Sequence, residues 1–350
     1  MKKLVKGLLV SALSLTVLVG CGSSSDASKK TLKVYNWGEY VDKSVISNFE
    51  KEFNCEVIYE NFDSNETMYT KLQGGDHYDV MVPSEYMIER MIKEDLLQKI
   101  DWSLMTNKDS IDNLVLNQPF DKENDYWVPY FYGNVGILYD KTKVKENDLN
   151  AGWEVLRNPQ FKGSVYMYDS ERDSFMVALK ALGFSMNTTN EDEIKKAYNW
   201  LVEQRDLVDP VYGTDDIIDA MRNSEKSMAV MYSGDAAAVM ADNENMGFYM
   251  PNEGTNVWFD GFVVSKDCKE TKLAMEFINY MVSDDNALLN TLEVGYLTSN
   301  VNAAKEAKLE DYKDNSAYAI RKEKNDEVFA YQPQEVRTIF SEYFNKVKNH

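Results

Sequence analysis

The chain is poor in the residues that carry covalent and metal chemistry. It holds two histidines, His77 and His350, and three cysteines, Cys21, Cys55 and Cys268. Two isolated imidazoles do not make a transition-metal centre, so neither a metal nor a cofactor is expected. Three cysteines give no disulfide framework. Cys55 and Cys268 are either two buried thiols or one bridge, and the sequence leaves both open. No Gly-rich phosphate loop, nucleophile elbow or Ser/His/Asp set is present. Positive charge is scarce too: 38 Lys and Arg stand against 58 Asp and Glu, a net charge of −20. Such a surface repels nucleic acid. It draws small cations toward any cleft that focuses the field, although solubility alone is served by the same excess.

One long apolar run follows the basic head Met1-Lys2-Lys3-Leu4-Val5-Lys6, from Gly7 to Gly20. It is too short for a stable membrane span and marks residues 1–20 as a secretory signal. Its end, Leu18-Val19-Gly20-Cys21, resembles a lipobox, which implies cleavage before Cys21 and lipid on that residue. Residues 21–30 then form a flexible polar tether.

The rest is long enough for two lobes with separate cores. Apolar and β-branched runs at 32–35, 56–60 and 78–82 alternate with helical spacing at 42–53, 64–73 and 83–92. Strand, helix, strand, helix predicts an α/β sheet with ligands at the carboxyl ends of its strands. The aromatic run 126–139, interrupted by Gly133 and Gly136, predicts a strand crossing between lobes. A second α/β region has strands at 163–167, 228–232 and 246–250 and helices at 174–182, 191–203, 215–223 and 236–240. Residues 169–173 read as a turn, 272–281 as a helix, 293–300 as a turn with an aromatic, and 336–347 as a helix on the second lobe. The expected division is 31–135 with 255–302 as lobe 1 and 136–254 with 303–350 as lobe 2. Together they give a periplasmic-binding-protein-like fold of type II, with a hinge and a cleft that closes on a ligand.

Val257-Trp258-Phe259-Asp260-Gly261-Phe262 organises the functional reading. The run is a strand, so Trp258 and Asp260 share a face. An aromatic plane beside a carboxylate cradles an organic cation. A core strand with an exposed acid would present the same letters, and the repetition elsewhere decides between them. Trp37, Tyr40, Ser84, Tyr86 and Tyr296 fall at strand ends or turns of lobe 1, and Asp173, Tyr232 and Asp235 at those of lobe 2. Aromatics with three acids suit a linear polyamine. Its ammoniums need carboxylates in a closed cleft, and its methylenes need ring faces. Taken singly, Trp37 and Tyr40 also fit a core, and Asp173 and Asp235 fit helix caps.

These residues lie in motifs that resemble a known family. Tyr35-Asn36-Trp37-Gly38-Glu39-Tyr40, Ser64-Asn65-Glu66-Thr67-Met68-Tyr69, Val82-Pro83-Ser84-Glu85-Tyr86, the stretch 134–137, Asn187-Thr188-Thr189 and Val294-Gly295-Tyr296 are similar to the bacterial spermidine/putrescine-binding proteins of ABC importers. That resemblance implies polyamine binding outside the cell at the outer face of the membrane, delivery to permease subunits, and no catalysis. It implies that Trp37, Tyr40 and Tyr86 stack on methylenes, that Ser84 makes a polar contact, and that Trp258 and Asp260 meet the amines. Asp173 stands where the family has Glu, Tyr232 where it has Trp, and Asp235 matches an acid of putrescine-preferring members. Ser170 replaces an Asp of spermidine-preferring members, Gly38 a Ser or Thr, and Gln332 is the nearest counterpart of a C-terminal glutamine. The choice between putrescine and spermidine stays open. A monomer is expected. The alternatives are the same fold binding another organic cation or an amino acid, for which Arg172 would supply the counter-charge, and a glycosidase using Asp173 and Asp260.

Overall fold

The computed structural model describes residues 29–309 and 311–350. The signal, Cys21 and most of the tether lie outside the described residues. The first strands and helices are β1 (Lys30–Trp37), α1 (Lys43–Glu52), β2 (Cys55–Phe62), α2 (Asn65–Gln73), β3 (Val80–Met81) and α3 (Glu85–Lys93). β1 pairs in parallel with β2 and β3, so the chain leaves all three at one edge of the sheet. The helices begin where a side-chain oxygen meets a free N–H group. Asp42 accepts from the Ser44 amide at 2.7 Å and Ser64 from the Thr67 amide at 3.1 Å.

The chain continues through β4 (Val128–Asp140), α4 (Glu146–Leu149), β5 (Val165–Tyr168), α5 (Glu171–Ala181), α6 (Glu191–Val208), β6 (Val211–Gly213), α7 (Asp216–Arg222), β7 (Met228–Tyr232), α8 (Ser233–Asp242) and β8 (Met246–Tyr249). It ends with β9 (Val257–Val264), α9 (Thr271–Met281), α10 (Asp284–Val294), β10 (Leu297–Thr298), α11 (Val301–Leu309) and α12 (Gln334–Lys348). Along β4 the pairing changes. Its first half lies antiparallel to β9 and β10, with Phe131 opposite both Asp260 and Thr298. From Val135 onward its main partners are β7 and β8, and β5 and β6 extend that side. One strand thus joins two α/β units, the two-lobe architecture expected from the long aromatic run.

The glycines in that run do not break it. A Cβ on Gly133 would stand 2.3 Å from Ser233 Oγ and 2.8 Å from Trp258 Cζ2, and one on Gly136 2.5 Å from the Phe248 ring. They are there because neighbouring side chains cross close to the backbone.

Several boundaries differ from the sequence reading, each for a local reason. Residues 169–173 are not all turn: Ser170 caps α5 by accepting from the Asp173 amide, so Asp173 sits in the first helical turn. α8 begins at Ser233, which places Asp235 likewise. After β1 the chain turns through a left-handed Glu39 (φ 48°). The turn expected over 293–300 is the end of α10, a left-handed Gly295 (φ 88°) and β10. α10 itself escapes an apolar-stripe reading because its buried face carries Asn286, Asn290 and Thr291. α12 packs on α5 and α6, as expected. Cys55 and Cys268 are both free and buried.

Candidate functional site

Strand alternation puts Trp258 and Asp260 on one side of β9, and the loops after β1 and β3 come to meet them. Asp260 is 6% exposed. Its Oδ2 accepts the Tyr40 hydroxyl at 2.5 Å, and Ser84 is paired to it across a β-bridge. Asp260 Oδ1 is buried with no hydrogen-bond partner among the described residues. Burial pushes the carboxyl up to a pKa of about 6, against the pull of the Tyr40 hydroxyl.

Two further acids stand in the first turns of α8 and α5. Asp235, in the first turn of α8, accepts Tyr296 OH at 2.7 Å and Tyr168 OH at 3.1 Å. It keeps some surface toward solvent, yet lies deep among protein atoms. Desolvation accordingly raises it to about 6. Tyr296 packs directly on the start of α8, where a Cβ on Gly234 would fall 1.4 Å from its Cδ1. Asp173, 4% exposed, accepts Tyr232 OH at 2.9 Å. Its pKa is also raised, chiefly by burial, with the Ser170 and Tyr232 hydroxyls opposing.

Rings close the space between the acids. Trp258 lies 5.1 Å from Tyr296 and 6.0 Å from Tyr232, Tyr40 lies 5.5 Å from Tyr296, and Trp37 is 6.4 Å from Tyr40. All four pairs are tilted or edge-on, the geometry aromatic pairs prefer over a face-to-face sandwich. The Trp37 Nε1–H is buried and unpartnered among the described residues. Trp37, Tyr40, Ser84, Asp173, Tyr232, Asp235, Trp258, Asp260 and Tyr296 therefore belong to one cluster.

Two expected residues stand differently. Tyr86 is linked to the cluster through Asn65, whose side-chain amide donates to Tyr86 OH at 2.9 Å and to Ser84 Oγ at 3.1 Å. One face of its ring, however, is covered by the Arg172 guanidinium 3.6 Å from the centroid. Gln332 lines a small cavity with Glu171, Arg172, Phe175 and Arg337; no hydrogen bond joins it to the three acids among the described residues.

Sequence reasoning missed Asn65, Tyr168 and Glu85. Tyr168 ends β5, and the rule that singled out Trp37 at the end of β1 would have found it. It stacks on Tyr232 at 4.6 Å and holds Asp235. Glu85 is buried at the start of α3, where its Oε2 accepts the Phe259 amide at 2.9 Å. It thereby ties down the backbone between Trp258 and Asp260. Burial raises its pKa to about 8, and the nearby Asp260 charge adds to the rise. Among the described residues no group of His, Cys, Asp or Glu is placed to hold a metal ion.

Tyrosine-anchored carboxylates among aromatic rings suit a cation with an apolar stem. A two-lobe α/β fold around such a site defines a transport solute-binding protein rather than an enzyme. The chain belongs to the family described as Bacterial extracellular solute-binding protein, which matches residues 44–319. It is 32% identical over 350 residues to the spermidine/putrescine-binding periplasmic protein of Escherichia coli (strain K12), covering 99% of each chain. It is similar in structure to the spermidine/putrescine ABC transporter substrate-binding protein PotD of Streptococcus pneumoniae, with TM-score 0.77, 34% identity and coverage of 92% of this chain and 99% of that one. The Tp0655 lipoprotein of Treponema pallidum matches with TM-score 0.79 at 25% identity, over 92% of this chain and 100% of that one.

Proposed function

We propose that this protein captures a polyamine of the putrescine–spermidine class outside the cytoplasm and hands it to the membrane subunits of an ABC importer. The observation that carries the reading is Asp260 Oδ1, a buried carboxylate oxygen without a partner among the described residues, in a carboxylate whose other oxygen is held by Tyr40. An unpaired buried acceptor is costly, and a protonated amine satisfies it. Trp258 and Asp260 receive one ammonium. Asp173 and Asp235 receive the others. Trp37, Tyr40, Tyr232 and Tyr296 sheathe the methylenes, Ser84 and Tyr86 close the end beside Asp260, and Gln332 stands behind Arg172.

In this reading residues 31–135 and 255–302 move as one lobe and 136–254 and 303–350 as the other. The cleft closes about the β4 crossing. Lipid on Cys21 tethers a monomer to the outer face of the membrane; the similar Treponema protein is itself called a lipoprotein. An amino-acid ligand is disfavoured because Arg172, its best counter-charge, is already engaged by Glu66. Calorimetric titration with putrescine, cadaverine, spermidine and spermine tests the proposal. At least one should bind stoichiometrically while amino acids and oligosaccharides give no heat. Heat from an amino acid and none from any of the four amines would overturn it.

A further inference from the structure

The carboxylate-plus-ring pairing found at Trp258 and Asp260 occurs a second time, and there it is filled by the protein itself. Tyr86 presents its ring and Glu66 its carboxylate, and Arg172 occupies both. The guanidinium lies 3.6 Å from the Tyr86 centroid, within cation–π range. Its Nη1 and Nη2 donate to Glu66 Oε1 at 3.2 and 3.3 Å. Tyr86 and Glu66 belong to α3 and α2, whereas Arg172 comes from the first turn of α5, immediately before Asp173.

This second pair is continuous with the site. Asp260 faces Ser84 across a β-bridge, Asn65 donates to both Ser84 and Tyr86, and Tyr86 OH reaches the Glu66 carboxylate at 3.4 Å. A guest that extends past Asp260 along Ser84 therefore arrives at Tyr86 and Glu66. Those two groups are what an ammonium needs. The guest would instead meet a fixed positive charge, since a guanidinium does not deprotonate. Glu66 is half exposed and Arg172 about a quarter exposed, so the pair borders solvent.

We propose that Arg172 is a resident cation in an ammonium subsite formed by Tyr86 and Glu66, and that it sets the length of amine the cleft accepts. The inference rests on the polyamine reading above. Arg172 selects against longer guests by charge and by occupying the subsite, a repulsive device for specificity. Removing it uncovers a place for one more ammonium.

The experiment is calorimetric titration of the full mature chain and its Arg172→Ala variant with putrescine, spermidine and spermine. The affinity ratio of spermine or spermidine to putrescine should rise about tenfold or more in the variant, the scale of one added charge-assisted hydrogen bond. Adding Glu66→Gln to Arg172→Ala should return the ratio toward the wild-type value. Arg172→Lys, which keeps the charge, should leave it there. If Arg172→Ala lowers the melting point enough to blur the titration, Arg172→Gln keeps hydrogen-bonding capacity without charge and carries the same expectation. An unchanged ratio, with all amines weakened equally or not at all, would show that Arg172 merely clasps the two halves. A wild-type protein that binds no polyamine would sink the underlying function and this inference with it. A wild-type protein that binds, with a ratio indifferent to residue 172, sinks this inference alone.

Discussion

Asp260→Asn separates charge from shape at the centre of the site. The amide keeps an oxygen for the Tyr40 hydroxyl, now 2.5 Å away, and turns its nitrogen toward the position of the free Oδ1. An incoming ammonium then meets a donor where it had an acceptor. Losing a charge-assisted hydrogen bond costs about 1.5–3 kcal/mol, so Kd should rise by roughly 10- to 150-fold. The free protein should not be weakened. Its Asp260 pKa is raised to about 6, against an unfolded value near ~3.9. A raised carboxyl favours the fold in its protonated form. That contribution is present below about pH 4 and is lost as pH climbs through about 6. At neutral pH the ionised carboxylate therefore costs stability, and the neutral amide removes the cost. Calorimetric titration at neutral pH, paired with thermal unfolding of the free protein, checks both halves. Unchanged affinity, or a melting point several degrees lower with no ligand present, would refute the reasoning.

Other expectations follow from the same contacts. Polyamine affinity should fall as pH drops through about 6, because Asp260 and Asp235 must both be ionised; titrations near that pH in buffers of different ionisation heat should reveal proton release on binding. Gly234→Ala drives a Cβ into Tyr296 and should weaken binding about tenfold through loss of the Tyr296–Asp235 hydrogen bond, with a lower melting point of the free protein as the ring is displaced. Tyr40→Phe strips Asp260 Oδ2 of its 2.5 Å donor and should move the pH midpoint of binding upward. Trp258→Ala should weaken binding and also lower the melting point, by about 3–5 kcal/mol of stability, because Trp258 is 6% exposed and carries an Nε1–H donated toward Asn134 O; a melting point that stays put would show that its burial is not structural.

The sequence makes the site legible where function and local periodicity coincide. Trp258 and Asp260 share a face because the strand period is two, and no tertiary information is needed to see it. Trp37, Ser84 and Tyr86 follow from the strand-end rule of open α/β sheets. What stays hidden is long-range pairing. Nothing in the letters around Tyr86 announces that Arg172, distant in the chain, lies on its ring, or that Glu85 fills the edge of β9 in place of a strand. α10 is invisible for a different reason: its inward face is held by amide and hydroxyl groups, so the hydrophobic period that reveals α9 is missing. Asp173 and Asp235 are legible as acids at strand ends and as helix-start acids at once. The structure shows both descriptions to be true of the same residues.

That double role bears on how the cleft works. Carboxylates drawn into one cluster repel one another and resist burial. Here each is held by a tyrosine hydroxyl: Tyr40 for Asp260, Tyr232 for Asp173 and Tyr168 for Asp235. With the lobe boundaries proposed above, every one of these pairs lies within a single lobe, so the acids are aimed before the halves meet. Across those boundaries Tyr296 meets Asp235, Arg172 meets Glu66 and the Asn134 amide meets Ser233. In that reading a guest that neutralises Asp260 on one side and Asp173 or Asp235 on the other adds to these contacts and favours the closed state. Tyr296→Phe removes one closing contact without touching the aim of the acids, because Tyr168 still holds Asp235. It should therefore speed release far more than it slows capture, a split visible in stopped-flow tryptophan fluorescence. Equal effects on both rates would mean that Tyr296 orients the acid rather than closes the cleft.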